Sequence, residues 1–180
     1  MTEREKRIKR FEEYMQDSVV RTKWLAEELD RMGFFTAPAS TRFHGAYEGG
    51  LFDHSLMVAK KLVEMTEKMR LPWETPRSPK LVGMLHDVCK CDCYEQTEDG
   101  KWKYKENQIL TGHGDKSVIL CQLMEHTPFL TEEEVLCIRY HMGAYENENM
   151  WQNYGAAIGK YETVLWTHAA DMWASKVMRT

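Results

Sequence analysis

Apolar residues recur at three- and four-residue spacing through most of the chain. Ile8, Phe11, Met15, Val19, Leu25 and Leu29 stand among charges over residues 3–31, which predicts an amphipathic helix or a pair of helices. Gly33 and the Thr36-Ala-Pro-Ala-Ser-Thr41 stretch read as a loop. A second helix is expected over about 51–69, stopping before Pro72, with His54, Val58 and Leu62 on one inward stripe. Ser78-Pro79 suits an N-cap followed by a first-turn proline. The helix it opens (Leu81, Val82, Met84, Leu85, Val88) is apolar all round, as a central buried helix is. Tyr94-Glu-Gln-Thr97 and Lys101-Trp-Lys-Tyr104 flank Asp99-Gly100, a hairpin pattern. Three more helices are expected at about 112–126, 131–143 and 156–178, the middle one opened by a Thr131/Glu134 capping box. No repeat, low-complexity tract or linker interrupts this order. The expected fold is all-α with one small β-hairpin near residues 93–105, a single domain over 1–180 in which residues 1–40 form an N-terminal helical extension.

Composition narrows the classes. The chain has 180 residues, 43% of them hydrophobic, enough for one core and short for two. Its 24 Lys+Arg against 28 Asp+Glu give a net charge of −4, which argues against binding extended nucleic acid through a basic surface. Arg4, Lys6, Arg7, Lys9 and Arg10 offer a basic arm, but interleaved Glu3, Glu5, Glu12 and Glu13 fit a solvated helix face better. No apolar run approaches the ~18 residues of a membrane span, and no apolar signal core follows the first residues. Five cysteines, an odd number, fit a reducing compartment, so the expectation is a cytoplasmic protein without a membrane partner. Cys89, Cys91 and Cys93 read as small apolar packing residues or as part of a soft-metal site.

Seven histidines stand out by position more than by number. His54, His86, His113, His141 and His168 fall on the inward faces or the ends of predicted helices, and Asp171 shares a face with Val164, His168 and Ala174. One buried histidine is ordinarily a hydrogen-bonded core residue. A buried aspartate is costly unless paired, and both Asp87 and Asp171 sit among apolar neighbours. One metal ion satisfies several such groups at once, and an imidazole–carboxylate set suits Mn, Fe, Co, Ni or Zn.

The order His54, His86-Asp87, Asp171 on separate helices resembles the HD-domain superfamily of metal-dependent phosphohydrolases, over about His44 to Lys176. His86-Asp87, within Leu81-Val-Gly-Met-Leu-His-Asp-Val-Cys-Lys90, looks like the namesake dyad, with Lys90 at a place where relatives commonly have lysine. In motif the likeness is closest to the HD part of bacterial 3′–5′ exoribonucleases, through His44-Gly-Ala-Tyr47, Gly49-Gly-Leu51, Gly112-His113 and His141-Met-Gly143. The doubled histidine of many relatives is His141-Met142 here, and His44 is followed by Gly45. Those exoribonucleases also carry a nucleic-acid-binding barrel, for which these residues leave no room, so polymer processivity is not expected.

The resemblance implies an HD helical bundle holding one or two divalent metals. His54, His86, Asp87 and Asp171 would hold one, and His113 and His141, with Asp87 bridging, a second. It implies cleavage of a phosphomonoester or phosphodiester, of nucleotide type, by metal-activated water. Lys90 would neutralise phosphate as a point charge, or is an ordinary lysine at a helix end. His44 would bind phosphate or protonate the leaving oxygen, or is a loop histidine contacting backbone. Tyr145, Asn147 and Trp151, in the stretch 145–154, would read a base, or simply form a polar loop. Asp115 is expected as a first-turn helix carboxylate, His168 as support for the site, and His126 as a helix-end cap. A di-iron oxygenase of the same superfamily, or a non-catalytic metal- and nucleotide-binding domain, are the alternatives.

Overall fold

The computed structural model describes residues 1–177. Eight α-helices and one hairpin follow in order: α1 Glu3–Met15, α2 Thr22–Met32, α3 Gly50–Met69, α4 Ser78–Leu85, β1 Tyr94–Gln96, β2 Trp102–Tyr104, α5 His113–Leu123, α6 Glu132–Arg139, α7 Trp151–Lys160 and α8 Thr163–Val177. The fold is thus all-α with a small antiparallel hairpin, Tyr94 facing Tyr104 across it. No helix of the described residues is long and apolar enough to cross a membrane.

The centre is α4, where every residue except Lys80 is buried, as a helix apolar all round requires. It packs along α3, which in turn lies against α8, while α6 contacts α4, α5 and α8. Gly83 permits the closest approach: a Cβ there would lie 2.4 Å from the Ala59 Cα and 2.6 Å from its backbone nitrogen. The start of α4 is tied to α6 through the buried Glu134, whose carboxylate accepts from Arg77 Nη2 at 3.0 Å and Ser78 Oγ at 3.0 Å. The same carboxylate closes the Thr131 capping box, so one side chain both caps α6 and fixes α4.

The N-terminal region is the pair α1 and α2 rather than one helix, broken after Met15 and reopened at Thr22. Its basic residues are paired with acids: Lys6 with Glu3, Lys9 with Glu13, Arg4 with Asp30, and Arg7 with Asp53 at 3.2 Å. Phe11, Phe34, Phe35 and Phe52 form one buried aromatic cluster at centroid distances of 5.3–6.2 Å, which joins α1 and the loop after α2 to the first turn of α3.

Five expectations differ from the structure. Ser78 lies inside α4, with Arg77 at its cap position, because the serine hydroxyl is engaged by Thr75 and Glu134. The helix expected over 131–143 stops at Arg139, and a 3-10 turn over Gly143–Tyr145 follows, with Gly143 at φ +54. The helix expected over 156–178 is two: Tyr161 is extended at φ −135 and separates α7 from α8. Trp151 to Tyr154 form the first turn of α7 instead of a loop, since Trp151, Tyr154 and Ile158 continue a helical stripe beneath a polar composition. His126 caps no helix: α5 ends at Leu123, and His126 lies on Glu28, its backbone N–H donating to Glu28 Oε2 at 2.8 Å.

Gly83→Ala tests the central crossing. Helix propensity favours alanine by about 1 kcal/mol, whereas overpacking a tight core costs about 1–3 kcal/mol. Here the clash is with backbone that cannot rotate aside, so overpacking wins, and calorimetry should show the thermal midpoint lowered by several degrees.

Candidate metal centre

Five segments converge on one buried point. His54 stands in the second turn of α3, His86 and Asp87 directly after α4, His113 at the first residue of α5, His141 two residues past α6, and Asp171 midway along α8. After Leu85 the chain leaves the α-helix: Asp87 takes φ −107, ψ 16, and Val88–Asp92 forms a 3-10 helix. That break turns His86 and Asp87 together toward the interior. Both are essentially buried, at 0% and 2% exposure, as is His54 at 0%.

The donor atoms face one another. His54 Nε2 lies 3.0 Å from Asp171 Oδ1 and 3.6 Å from Asp87 Oδ2. His86 Nε2 lies 3.4 Å from Asp87 Oδ2 and 3.8 Å from Asp171 Oδ1, and His141 Nε2 lies 3.4 Å from Asp87 Oδ1. None of these approaches has hydrogen-bond geometry: the Nε2 atoms of His54, His86 and His141 and Oδ1 of Asp87 are buried without a hydrogen-bond partner. The other ring nitrogens explain why. His86 Nδ1 is 2.9 Å from the Gly83 carbonyl and His141 Nδ1 is 2.7 Å from the Ile138 carbonyl. A carbonyl only accepts, so each Nδ1 carries the proton and each Nε2 presents a lone pair to the centre when the ring is neutral. His168 Nδ1–H donates in the same way to the His141 carbonyl at 2.8 Å.

Charge follows the geometry. Burial raises the cost of ionising Asp87, but Lys90 and His86 outweigh it and hold the carboxyl well below the usual range. Burial acts likewise on Asp171, and His54 and His86 pull it below the ordinary value. Burial pushes His54 down, with Asp171 opposing. His86 goes the other way, because Asp87 and Asp171 overcome its desolvation. The centre therefore keeps two ionised carboxylates in the core with unmet lone pairs around them, a state that a divalent cation resolves. Imidazole and carboxylate donors suit such an ion, and three overlapping groups bring their ligand atoms within 4.8 Å of one another: His54/His86/Asp87, His86/His141/Asp171 and Asp87/Cys89/His113.

Above this centre opens a cleft of about 920 Å³ lined by Asp87, His113 and Asp171 at its floor and by Lys90, His44 and Tyr145 on its walls. Lys90 is largely buried, its Nζ 2.6 Å from Asp87 Oδ2, and is not an exposed helix-end lysine. His44 stacks near His54 at 4.9 Å between centroids, and its Nε2 lies 3.4 Å from Ser175 Oγ. Burial, with His54 and Lys90, lowers His44 to about 4. Asn147 and Trp151 do not line this cleft; the Trp151 indole N–H donates to the Glu146 carbonyl. Asp115 pairs with Arg139 beside the α5–α6 crossing. The cysteines do not pool their sulfurs: Cys89 Sγ is 3.5 Å from His113 Nδ1, whereas Cys93 Sγ donates to the Cys89 carbonyl.

The cleft also uses residues that the sequence did not single out: Arg42 and Phe43 before His44, Tyr94 and Tyr104 of the hairpin, and Ser175 and Lys176 past Asp171. Helical spacing was the available signal for Ser175, one turn beyond Asp171, where its hydroxyl reaches Asp171 Oδ1 at 3.3 Å.

Adding Mn2+ at a hundredfold excess over its dissociation constant should stabilise the chelator-treated protein by about 2.7 kcal/mol, raising its thermal midpoint by roughly 5–10 °C. Asp87→Ala should abolish that rise. A rise of equal size in the variant would show that the ion binds elsewhere.

Comparison with known proteins agrees with this arrangement. The HD domain family model matches residues 51–169, a span that contains His54, His86, Asp87, His113 and His141 and ends two residues before Asp171. A dihydroneopterin 2′,3′-cyclic phosphate phosphodiesterase of Methanocaldococcus jannaschii is 35% identical over 71 residues, covering 38% of this chain and 28% of that protein. The matched segment thus spans little more than a quarter of that relative. No solved structure matches. On the family match and the buried dyad it encloses, the chain belongs to the HD-domain family.

Proposed function

We propose that the protein is a metal-dependent phosphohydrolase that cleaves a phosphomonoester or phosphodiester of nucleotide type. The observation that carries this is the set of buried, unpartnered Nε2 and carboxylate atoms at the floor of an open cleft. The phosphodiesterase activity named for the archaeal relative supports the same reaction class. We further read residues 1–180 as a single HD domain with residues 1–40 as a helical extension packed on it, since Phe11 and Phe35 share a core with Phe52 of α3.

His54, His86, Asp87 and Asp171 would hold one divalent ion, and Asp87, His113 and His141 a second. Such an ion lowers the pKa of bound water and offsets charge on phosphoryl oxygens. The chain supplies the rest. Asp87 faces both histidine groups through different oxygens, Oδ2 toward His54 and His86 and Oδ1 toward His141, the geometry a bridging carboxylate needs. Lys90 lines the cleft beside Asp87 and contributes positive charge to a phosphate there. His44, kept neutral by burial and by the nearby Lys90, would accept a proton from the attacking water and return it to the leaving oxygen. Protonation of His44 would switch off that role, so activity should fall on the acid side.

A panel of mononucleotides, linear and cyclic dinucleotides, short RNA and sugar phosphates, run with Mn, Co, Ni and Mg, tests the reaction class. His86→Ala and Asp87→Ala should lose more than the roughly 10–100-fold that changes beyond the ligands cost. His44→Ala should retain metal and lose about a hundredfold in kcat. Undiminished turnover in Asp87→Ala would refute the site. A mixed-valence di-iron signal without hydrolysis of any ester would refute the reaction.

A further inference from the structure

The cleft is larger than one phosphate needs, and its outer wall carries charge that the metal centre does not use. At about 920 Å³ it lies near the top of the range of about 300–1,000 Å³ for small-molecule sites. Arg42 and Lys176 both line it, and among the described residues neither has a carboxylate partner, whereas Lys90 is held on Asp87. They come from opposite ends of the chain. Arg42 stands in a tight loop in which Ser40 Oγ accepts from the Phe43 N–H at 2.9 Å and donates to the His44 carbonyl at 2.9 Å. Lys176 lies in the last turn of α8, just past the Ser175 that contacts both His44 and Asp171.

Beside them stand exposed aromatic rings. Phe43 is 67% exposed at the cleft. The Arg42 guanidinium sits over its ring, 5.2 Å from the centroid. Tyr104 and Tyr145, 56% and 65% exposed, line the same cleft. An exposed ring beside cations that no carboxylate holds among the described residues is the pairing that binds a base together with a phosphate. In a chain of net charge −4, two cations at one cleft without a carboxylate partner among the described residues are a local departure from the overall balance.

We propose that Arg42, Phe43 and Lys176 form an outer subsite, so that the substrate is a nucleotide with a second phosphate: one phosphate lies at the metal centre, the base stacks on Phe43, and the other phosphate is held by Arg42 and Lys176. Nucleoside bisphosphates and 5′-phosphorylated dinucleotides have this chemistry; nucleoside monophosphates lack half of it. The assignment rests on the phosphohydrolase reading for its inner phosphate, but its outer part is testable by binding alone.

Calorimetry on the manganese-loaded full chain would compare adenosine 3′,5′-bisphosphorothioate with adenosine 5′-monophosphorothioate, analogues that resist hydrolysis. The bisphosphorothioate should bind at least about tenfold tighter, as expected for loss or gain of charge-assisted hydrogen bonds. The Arg42→Ala/Lys176→Ala double variant should erase that ratio, and Phe43→Ala should weaken both analogues. Thermal midpoints of the variants with manganese report whether the inner site still forms. Equal affinity of the wild-type protein for the two analogues, or an unchanged ratio in the double variant, would overturn the subsite. Preferential binding without turnover of the natural esters would leave the subsite standing and overturn the hydrolase reading.

Discussion

Asp87 and Asp171 carry two negative charges into a helical core where water cannot reach them fully, and the surrounding structure is arranged around that cost. Three histidines turn their Nε2 atoms toward the pair, two of them locked in that orientation by backbone carbonyls. Lys90 supplies one permanent counter-charge. It is insufficient for two carboxylates, and the remainder is what a cation would meet. The abrupt end of α4 is part of the same solution. A continued helix would put His86 and Asp87 about 100° apart on its surface, whereas the turn at Asp87 allows both to address one point.

Much of this was legible from the chain itself, because it depends on which residues are inward. The apolar stripe of α3 places His54 correctly, the all-apolar α4 announces the centre, and Asp99-Gly100 marks the hairpin. Local rules failed where distant contacts decided. Ser78 looks like a cap until Glu134, 56 residues away, claims its hydroxyl. Trp151 looks like a loop residue because asparagine, glutamine and glycine around it conceal the stripe of α7. The wall of the cleft was least legible, since Arg42, Tyr104 and Lys176 come from segments with no shared motif and meet only through the tertiary arrangement.

The hairpin shows how a small element can serve a site without supplying any ligand. Tyr94 and Tyr104 stack across its two strands at 4.9 Å, and both reach the cleft. It follows the 3-10 helix directly after the dyad, so the dyad's backbone and the cleft's aromatic wall are consecutive pieces of one chain segment. Lys116, almost fully buried, joins α5 to this segment through Asp92 and Gln108. The first residue of α5, His113, is thereby registered against the same unit.

The pairing of Arg7 with Asp53 gives the surface a say in the interior. Asp53 precedes His54 directly, so the arginine of α1 grips the side chain of the very residue that leads into the buried centre. This contact is partly solvent-exposed, and ions in solution weaken such pairs far more than they weaken anything inside. Rising ionic strength would thus loosen the buried His–Asp cluster from outside, through a latch on the first turn of α3 rather than through the cleft.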